Sequence, residues 1–158
     1  MSVAALWLPI LVAAVAVFVV SSIIHMTPLW HKTDYPRYAS EAQVLDALRP
    51  LNIPPGDYLM PRPSSTTEMR SPEFREKMKR GPVVVMTVFP PWSGSLAKNL
   101  VQWFVYVLIV TILSAYVTGA ALPAGTATPG AICRFASTTA FIGYALALWQ
   151  SSIWYRRA

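Results

Sequence analysis

Two histidines, His25 and His31, are the residues of this chain best suited to chemistry. An imidazole binds metals, haem iron or a chlorophyll-type pigment and exchanges a proton near neutral pH, and Met26 beside His25 adds a second haem-ligand type. The histidines are six positions apart with Pro28 between them, which is not a recognised metal-ligand spacing. Interfacial hydrogen bonding is therefore the favoured role, and both remain candidates for a cofactor site.

The other reactive residue types argue against catalysis. Cys133 is the single cysteine, which excludes an intrachain disulfide and any multi-cysteine metal or iron–sulfur site. All seven acidic residues lie between Asp34 and Glu76, outside every long apolar run. A proton or ion relay through a membrane needs carboxylates inside the spans. We therefore predict no enzyme activity, no catalytic residue, no metal and no cofactor.

The elements around these residues are three long apolar runs, Val3–Ile24, Leu100–Thr118 and Ile132–Tyr155. A bilayer core of ~30 Å needs about 20 mostly apolar residues in a helix, and each run is long enough. The composition agrees, because 54% of the residues are hydrophobic and 13% are charged, against roughly 25% charged in soluble domains. The chain is therefore predicted to be a multi-pass integral membrane protein.

The placement of basic residues predicts how the chain crosses the membrane. Residues 25–98 hold most of the 13 Lys and Arg residues, the tail adds Arg156 and Arg157, and residues 119–131 hold none. The positive-inside rule then puts the N-terminus and 119–131 outside a bacterial inner membrane. The predicted order is a transmembrane helix over 3–26, a cytoplasmic segment over 27–98, a second transmembrane helix over 99–118, an outer turn over 119–131, a third transmembrane helix over 132–155 and a cytoplasmic tail over 156–158.

The net charge of +6 follows from the same placement. Lys and Arg beside spans contact lipid headgroups, so no nucleic-acid partner is predicted. Arg134 lies on the outer side, where it could bind a lipid phosphate or a partner carboxylate, and snorkelling to the headgroups is the favoured account. Arg134, Arg156 and Arg157 are the predicted contacts with membrane lipids or a partner.

The third apolar run carries a face of small residues. At 100° per residue the small side chains share one stripe, opposite the bulky Phe141 and Ile142. Small residues at four-residue spacing let another helix backbone approach closely, which is the main packing device in lipid. We expect this face to pack on the second span, which offers Thr111, Ser114, Ala115 and Thr118, in preference to a foreign helix. The predicted helix-packing residues are Ala136, Thr139, Ala140, Gly143 and Ala147.

The cytoplasmic segment is too short and proline-rich for a large core of its own. A Ser40 cap predicts a short helix over 41–49, residues 54–57 predict a type II turn, and Ser71 with Pro72 predicts a second short helix ending at Gly81. Val83–Phe89 predicts one extended or β segment that needs cover, because an exposed strand of this composition aggregates. The predicted fold is therefore an all-α membrane protein with three transmembrane helices and a cytoplasmic insert of two short helices and one extended segment.

A set of short motifs resembles a family of short, uncharacterised bacterial integral membrane proteins. The resemblance covers most of the chain from about residue 25 onward and implies no established activity or site residues. Such proteins look as though they continue past the last motif into a further apolar segment, so three spans are a minimum. The motifs are His25-Met26, His31 with Asp34-Tyr35, Pro54-Pro55-Gly56-Asp57-Tyr58, Gly81-Pro82, Ser95-Leu96, Val101-Gln102-Trp103-Phe104 and Ser152-Ile153-Trp154-Tyr155.

Three functional hypotheses follow from these observations. The leading one is a non-catalytic accessory subunit of a larger inner-membrane complex, whose partners are lipids and other transmembrane subunits. A respiratory or photosynthetic assembly is the first host to examine. The second is a small transporter or channel component, which needs polar residues lining a path through the spans. The third is a membrane enzyme that uses His25 and His31, which needs acids or histidines clustered at one depth.

Overall fold

The computed structural model describes residues 3–27, 34–91, 94–122, 125 and 127–155. The chain divides into two compact units. The helical unit contains residues 1–36 and 95–158, and the insert unit contains residues 37–94.

The helical unit contains three helices that are long and apolar enough to cross a membrane, over Val3–Met26, Ala97–Ala121 and Pro129–Tyr155. This confirms the three apolar helices expected from the sequence. The first consists of a short 3₁₀ turn, Val3–Leu6, followed by α1, Trp7–Met26. The second long helix is α5, Ala97–Ala121.

The third long helix has a break in its winding. It consists of α6 (Pro129–Phe141), a π-helical segment (Ile142–Leu146) and α7 (Leu148–Tyr155). It begins at Pro129 because Thr128 acts as its cap, with the Thr128 hydroxyl accepting a hydrogen bond of 3.2 Å from the amide of Ala131. Sequence periodicity did not predict the π segment, which shifts the backbone pairing by one residue.

Helix α5 lies between the other two long helices and packs against both α1 and α6. The described core is small: Ile10 and Ala14 of α1 and Val107, Val110 and Ser114 of α5 are buried. Most other large apolar side chains of these helices are exposed.

The insert unit holds three short helices: α2 (Glu41–Leu48), α3 (Thr66–Arg70) and α4 (Pro72–Arg80). A 3₁₀ turn, Arg49–Leu51, follows α2. The cap predicted for α4 is confirmed, because the Ser71 hydroxyl accepts a hydrogen bond of 3.1 Å from the amide of Phe74. The side chain of Ser40 makes no cap hydrogen bond, so that detail of the prediction is wrong. Helix α3 was not predicted, and its cap is Ser65.

The insert unit also contains two strands where the sequence predicted one. Strand β1, Gly56–Met60, pairs antiparallel with β2, Val84–Val88, with Tyr58 opposite Met86 and Leu59 opposite Val85. The type II turn expected at 54–57 is therefore wrong, because Gly56 has an extended φ of 159° and begins β1. The composition of this stretch favours a turn, but pairing with β2 gives β1 interstrand hydrogen bonds. A local sequence pattern does not reveal that pairing.

Candidate functional site

A groove with a volume of about 450 Å³ lies between the long helices of the helical unit. Helix α5 forms its floor, and α1 and α6 form its walls. We call it the α1–α6 groove. On the first long helix it is lined by Leu6, Pro9, Ile10, Ala13 and Val17. Its mouth is the end at Leu6, Thr118 and Ile132.

Small side chains create the space in the groove. The floor carries Thr111, Ser114, Ala115 and Thr118, which the sequence analysis expected to pack against the third span. Opposite them on α6 lie Cys133, Ala136, Ser137 and Ala140. Because these side chains are short, they leave unfilled space between α1 and α6 above α5.

Aromatic side chains fill the other end of the helical unit. Phe18 of α1 meets Phe104 of α5 edge to face, with ring centroids 5.5 Å apart. Tyr144 lines the inner end of the groove, and its ring centroid lies 5.7 Å from that of Tyr106 and 6.3 Å from that of Trp103. The groove therefore ends at the level of Val17 and Tyr144 and does not run the whole length of the helices.

The hydroxyl groups on the groove floor differ in how they are satisfied. Thr111 donates to the carbonyl of Val107 at 2.8 Å, and Thr118 donates to the carbonyl of Ser114 at 2.7 Å. Ser114 is only 7% exposed, and its Oγ is buried with no hydrogen-bond partner among the described residues. A buried hydroxyl without a partner is unfavourable in an apolar setting.

The predicted packing residues divide between two roles. Gly143 packs directly on α5, since a Cβ built at this glycine would lie 3.0 Å from Cγ1 of Val110. Ala136 and Ala140 line the α1–α6 groove instead. Thr139 is half-buried and donates to the carbonyl of Phe135 at 2.9 Å, and Ala147 is exposed. The stripe expected to face one neighbour thus meets α5 at Gly143 and borders the groove at two alanines.

Arg134 lies near the mouth of the groove. It is exposed, and its neighbours Cys133 and Ser137 both line the groove. The carbonyl of Arg134 accepts a hydrogen bond of 3.3 Å from the Ser137 hydroxyl. Arg156 and Arg157 lie outside the described residues.

The cofactor candidate His25 lies at the opposite end of α1. Nδ1 of His25 lies 2.8 Å from the carbonyl oxygen of Ser21, so Nδ1 carries the proton and donates. His25 also borders a small pocket of about 280 Å³ with Asn99 and Trp103. His31 lies outside the described residues. Within the described part of the chain, no three His, Cys, Asp or Glu side chains group closely enough to hold a metal ion.

The insert unit presents a second surface, on one side of its two-stranded sheet. Side chains of alternate residues point to opposite faces of a strand. Tyr58, Val84, Met86 and Val88 are half-buried on one face. The other face is exposed; we call it the open sheet face, and it consists of Asp57, Leu59, Val85 and Thr87.

The chain matches no protein-family model, and no curated protein and no solved structure matches it.

Proposed function

We propose that this chain is a non-catalytic accessory subunit of a larger assembly in a bacterial inner membrane. The observation that carries the proposal is the open sheet face of the insert unit. Leu59 on this face is 47% exposed, and Val85, its partner across the sheet, is 41% exposed. Apolar side chains displayed together on a sheet outside the lipid mark a surface that a partner covers.

The chemistry of this face favours a protein partner over the membrane surface. Thr87 donates to Oδ1 of Asp57 at 2.6 Å, which puts a carboxylate between the apolar residues. Anionic lipid headgroups repel a carboxylate, whereas a protein can offer it hydrogen-bond donors. Protein–protein interfaces combine apolar area with direct hydrogen bonds, and this face offers apolar side chains beside a hydrogen-bonding carboxylate.

The hydrogen bonds of the spans favour this function over a transporter or channel. Hydroxyls that line a polar path should face one another or a water-filled passage. Here Ser22, Thr111 and Thr139 each donate to a carbonyl of their own helix, at 2.7 to 2.9 Å. Such local bonds satisfy the hydroxyl without contributing to a pathway.

The histidines give little support to the membrane-enzyme alternative. A general base or a metal ligand works with further acids or histidines at hydrogen-bond distance. Nδ1 of His25 is engaged by the backbone of its own helix at 2.8 Å. The carboxylates lie between Asp34 and Glu76, in the segment that is predicted to be cytoplasmic.

Site-specific photocrosslinking in native membranes tests the proposal. A photoreactive residue replacing Leu59 should give one defined adduct, and the complex purified in mild detergent should exceed the mass of the chain alone. Val85→Lys puts a charge on the open sheet face and should abolish both. Thr67→Lys adds the same charge at an exposed position of α3 and should leave both unchanged. If the purified chain migrates alone and Val85→Lys changes nothing, the accessory-subunit proposal is wrong.

A further inference from the structure

We propose that the partner holds this chain by adding an extended segment of its own backbone, as a third strand, to the outer edge of β2. The groups that it binds are the backbone N–H and C=O groups of Val85 and Thr87, and the occupant is a segment of a different protein. This inference rests on the accessory-subunit proposal and names how the partner binds.

The sheet has two strands, so each strand has one edge that faces away from the other. In an antiparallel pair, residues that lie opposite each other alternate between two kinds. Residues of one kind exchange N–H···O=C bonds across the pair, and residues of the other kind direct both groups away from it. The outward groups are the ones that a further strand can bind.

Pro61 decides which residues are of which kind. The ladder ends with Met60 opposite Val84. If these two residues did not exchange hydrogen bonds, the amide of residue 61 would have to close the ladder, and proline has no N–H. Met60 and Val84 therefore bond to each other. By alternation the bonded pairs are Met60–Val84, Tyr58–Met86 and Gly56–Val88.

The remaining two pairs, Asp57 opposite Thr87 and Leu59 opposite Val85, are not bonded across the ladder. Side chains come closest in pairs of this kind, and the Thr87 hydroxyl donates to Oδ1 of Asp57 at 2.6 Å. The N–H and C=O groups of Val85 and Thr87 thus point out from the edge of β2. No other described segment makes a backbone hydrogen bond to that edge.

The two outer edges differ in how well they accept a strand. The β1 edge carries Asp57, and charged side chains on an edge oppose pairing. It also begins at Gly56, a residue type that is depleted in strands. Strand β2 contains no charge and no proline, and four of its five residues are β-branched. We therefore assign the partner to the edge of β2, which lacks these protections.

The chemistry of this edge selects an extended protein chain as its occupant. Only another strand offers backbone donors and acceptors at the spacing of the ladder, and a lipid surface does not. The side chains of Val85 and Thr87 lie on the open sheet face, so a strand at this edge continues the surface that the partner covers.

The same two residues favour a different protein over a second copy. Symmetric pairing of two β2 strands through their outward groups places Val85 opposite Thr87 of the second copy, twice. A different protein can place an apolar residue opposite Val85 and a hydrogen-bonding residue opposite Thr87, and matched cross-strand pairs stabilise a sheet.

Residue-resolved hydrogen exchange tests the edge, with the native complex in mild detergent compared with the chain purified alone. The Met86 amide bonds to β1 and should be protected in both samples. The amides of Val85 and Thr87 should exchange rapidly in the isolated chain and at least about tenfold more slowly in the complex. Unchanged exchange of these two amides in a complex of increased mass would overturn the strand-addition proposal and leave the accessory-subunit proposal standing.

The outward amides of β1 are the matched control. Those of Asp57 and Leu59 belong to the same open sheet face and should stay rapid in the complex. Slowing of these two alone would put the partner on β1, and equal slowing of all four outward amides would mean that the face is covered without strand addition. Either result overturns the proposal. A chain that migrates alone overturns the accessory-subunit proposal itself.

Two proline variants test the same edge by affinity. Val85→Pro removes an outward amide from β2, and Leu59→Pro removes one from β1; an edge strand tolerates proline where its N–H faces away from the ladder. Val85→Pro should lower the yield of the complex at least about tenfold and Leu59→Pro about threefold at most, with the Met86 amide still protected in both. Equal losses would overturn the assignment to β2. A complex that contains only copies of this chain would overturn the choice of a different protein.

Discussion

The hydroxyl of Tyr106 on α5 donates a hydrogen bond of 2.5 Å to the carbonyl oxygen of Gly143 in the π-helical segment. A π-type turn shifts the backbone pairing by one residue, and the carbonyl that it exposes finds its donor on the neighbouring helix. Gly143 has no side chain to keep α5 away. One residue position thus combines a break in the winding, a close approach and an interhelical hydrogen bond.

Tyr106→Phe should weaken the contact between α5 and the third long helix. Hydrogen bonds between membrane helices contribute about 0.6 kcal/mol on average and up to about 1.7 kcal/mol. We expect a loss in this range, measured as the free energy of unfolding in bicelles. Tyr116→Phe is the matched control, because Tyr116 lies on the same helix and is 59% exposed. Equal losses for the two variants would show that the Tyr106 hydroxyl contributes nothing specific.

Gly143→Leu should insert into the membrane but lose packing between the helices. A Cβ at this position would lie 3.0 Å from Cγ1 of Val110, and valine is stiff at χ1. Overpacking of this kind costs about 1 to 3 kcal/mol. The measurement is thermal stability and steady-state abundance.

Two further variants check that the cause is contact with Val110. Phe141→Leu, on the exposed side of α6, should be mild. Val110→Ala should rescue part of the stability lost in Gly143→Leu because it makes room for the new side chain. If Phe141→Leu is the damaging variant and Gly143→Leu is not, the packing face is on the bulky side.

Removing the hydroxyl of Ser64 should raise the pKa of Glu68. The Ser64 hydroxyl and the Ser64 amide donate to Oε2 of Glu68 at 2.5 and 2.7 Å, and together they hold the pKa of this carboxyl below its usual value. Ser64→Ala keeps the amide bond, so the pKa should move part of the way back. Carboxyl-detected NMR titration measures it. No upward movement would show that the hydroxyl bond is not formed in solution.

The same pair predicts the sign of a pH effect on α3. Because the folded pKa of Glu68 is lowered, its contribution is complete above the unfolded value of ~4.3 and is lost as the pH falls through the folded pKa. Hydrogen exchange of the Thr66–Arg70 amides, corrected for intrinsic rates, should therefore show weaker protection in that acidic range. The dependence should be smaller in Ser64→Ala. Stronger protection on acidification would contradict this linkage.

Cysteine labelling tests the proposed topology. In a Cys133→Ser background, Ser64→Cys should be shielded from an impermeant reagent added outside, and Ala127→Cys should react. The asymmetry of Lys and Arg is the physical reason. Labelling of Ser64→Cys in intact cells would reverse the assignment.

The three long apolar helices of the helical unit could be predicted from the sequence because they depend on composition and length alone. Uninterrupted apolar runs of sufficient length fold as helices in lipid, since the backbone has no other donors and acceptors there. The cap at Ser71 was equally readable, because a side chain three residues from its partner needs no tertiary context.

Only the tertiary structure decided which of these elements pair or pack together and which of their residues are in contact. Residues 54–57 have the composition of a turn, yet Gly56 begins a strand because β2 lies beside it. The small residues of the third span were readable as a packing face, but not which of them would touch α5 and which would border an opening. Ser114 resembles Thr111 and Thr118 in sequence, and only the packed helices leave its hydroxyl buried without a partner. Pairing, close approach and burial join residues distant along the chain, and a local pattern holds no information about them.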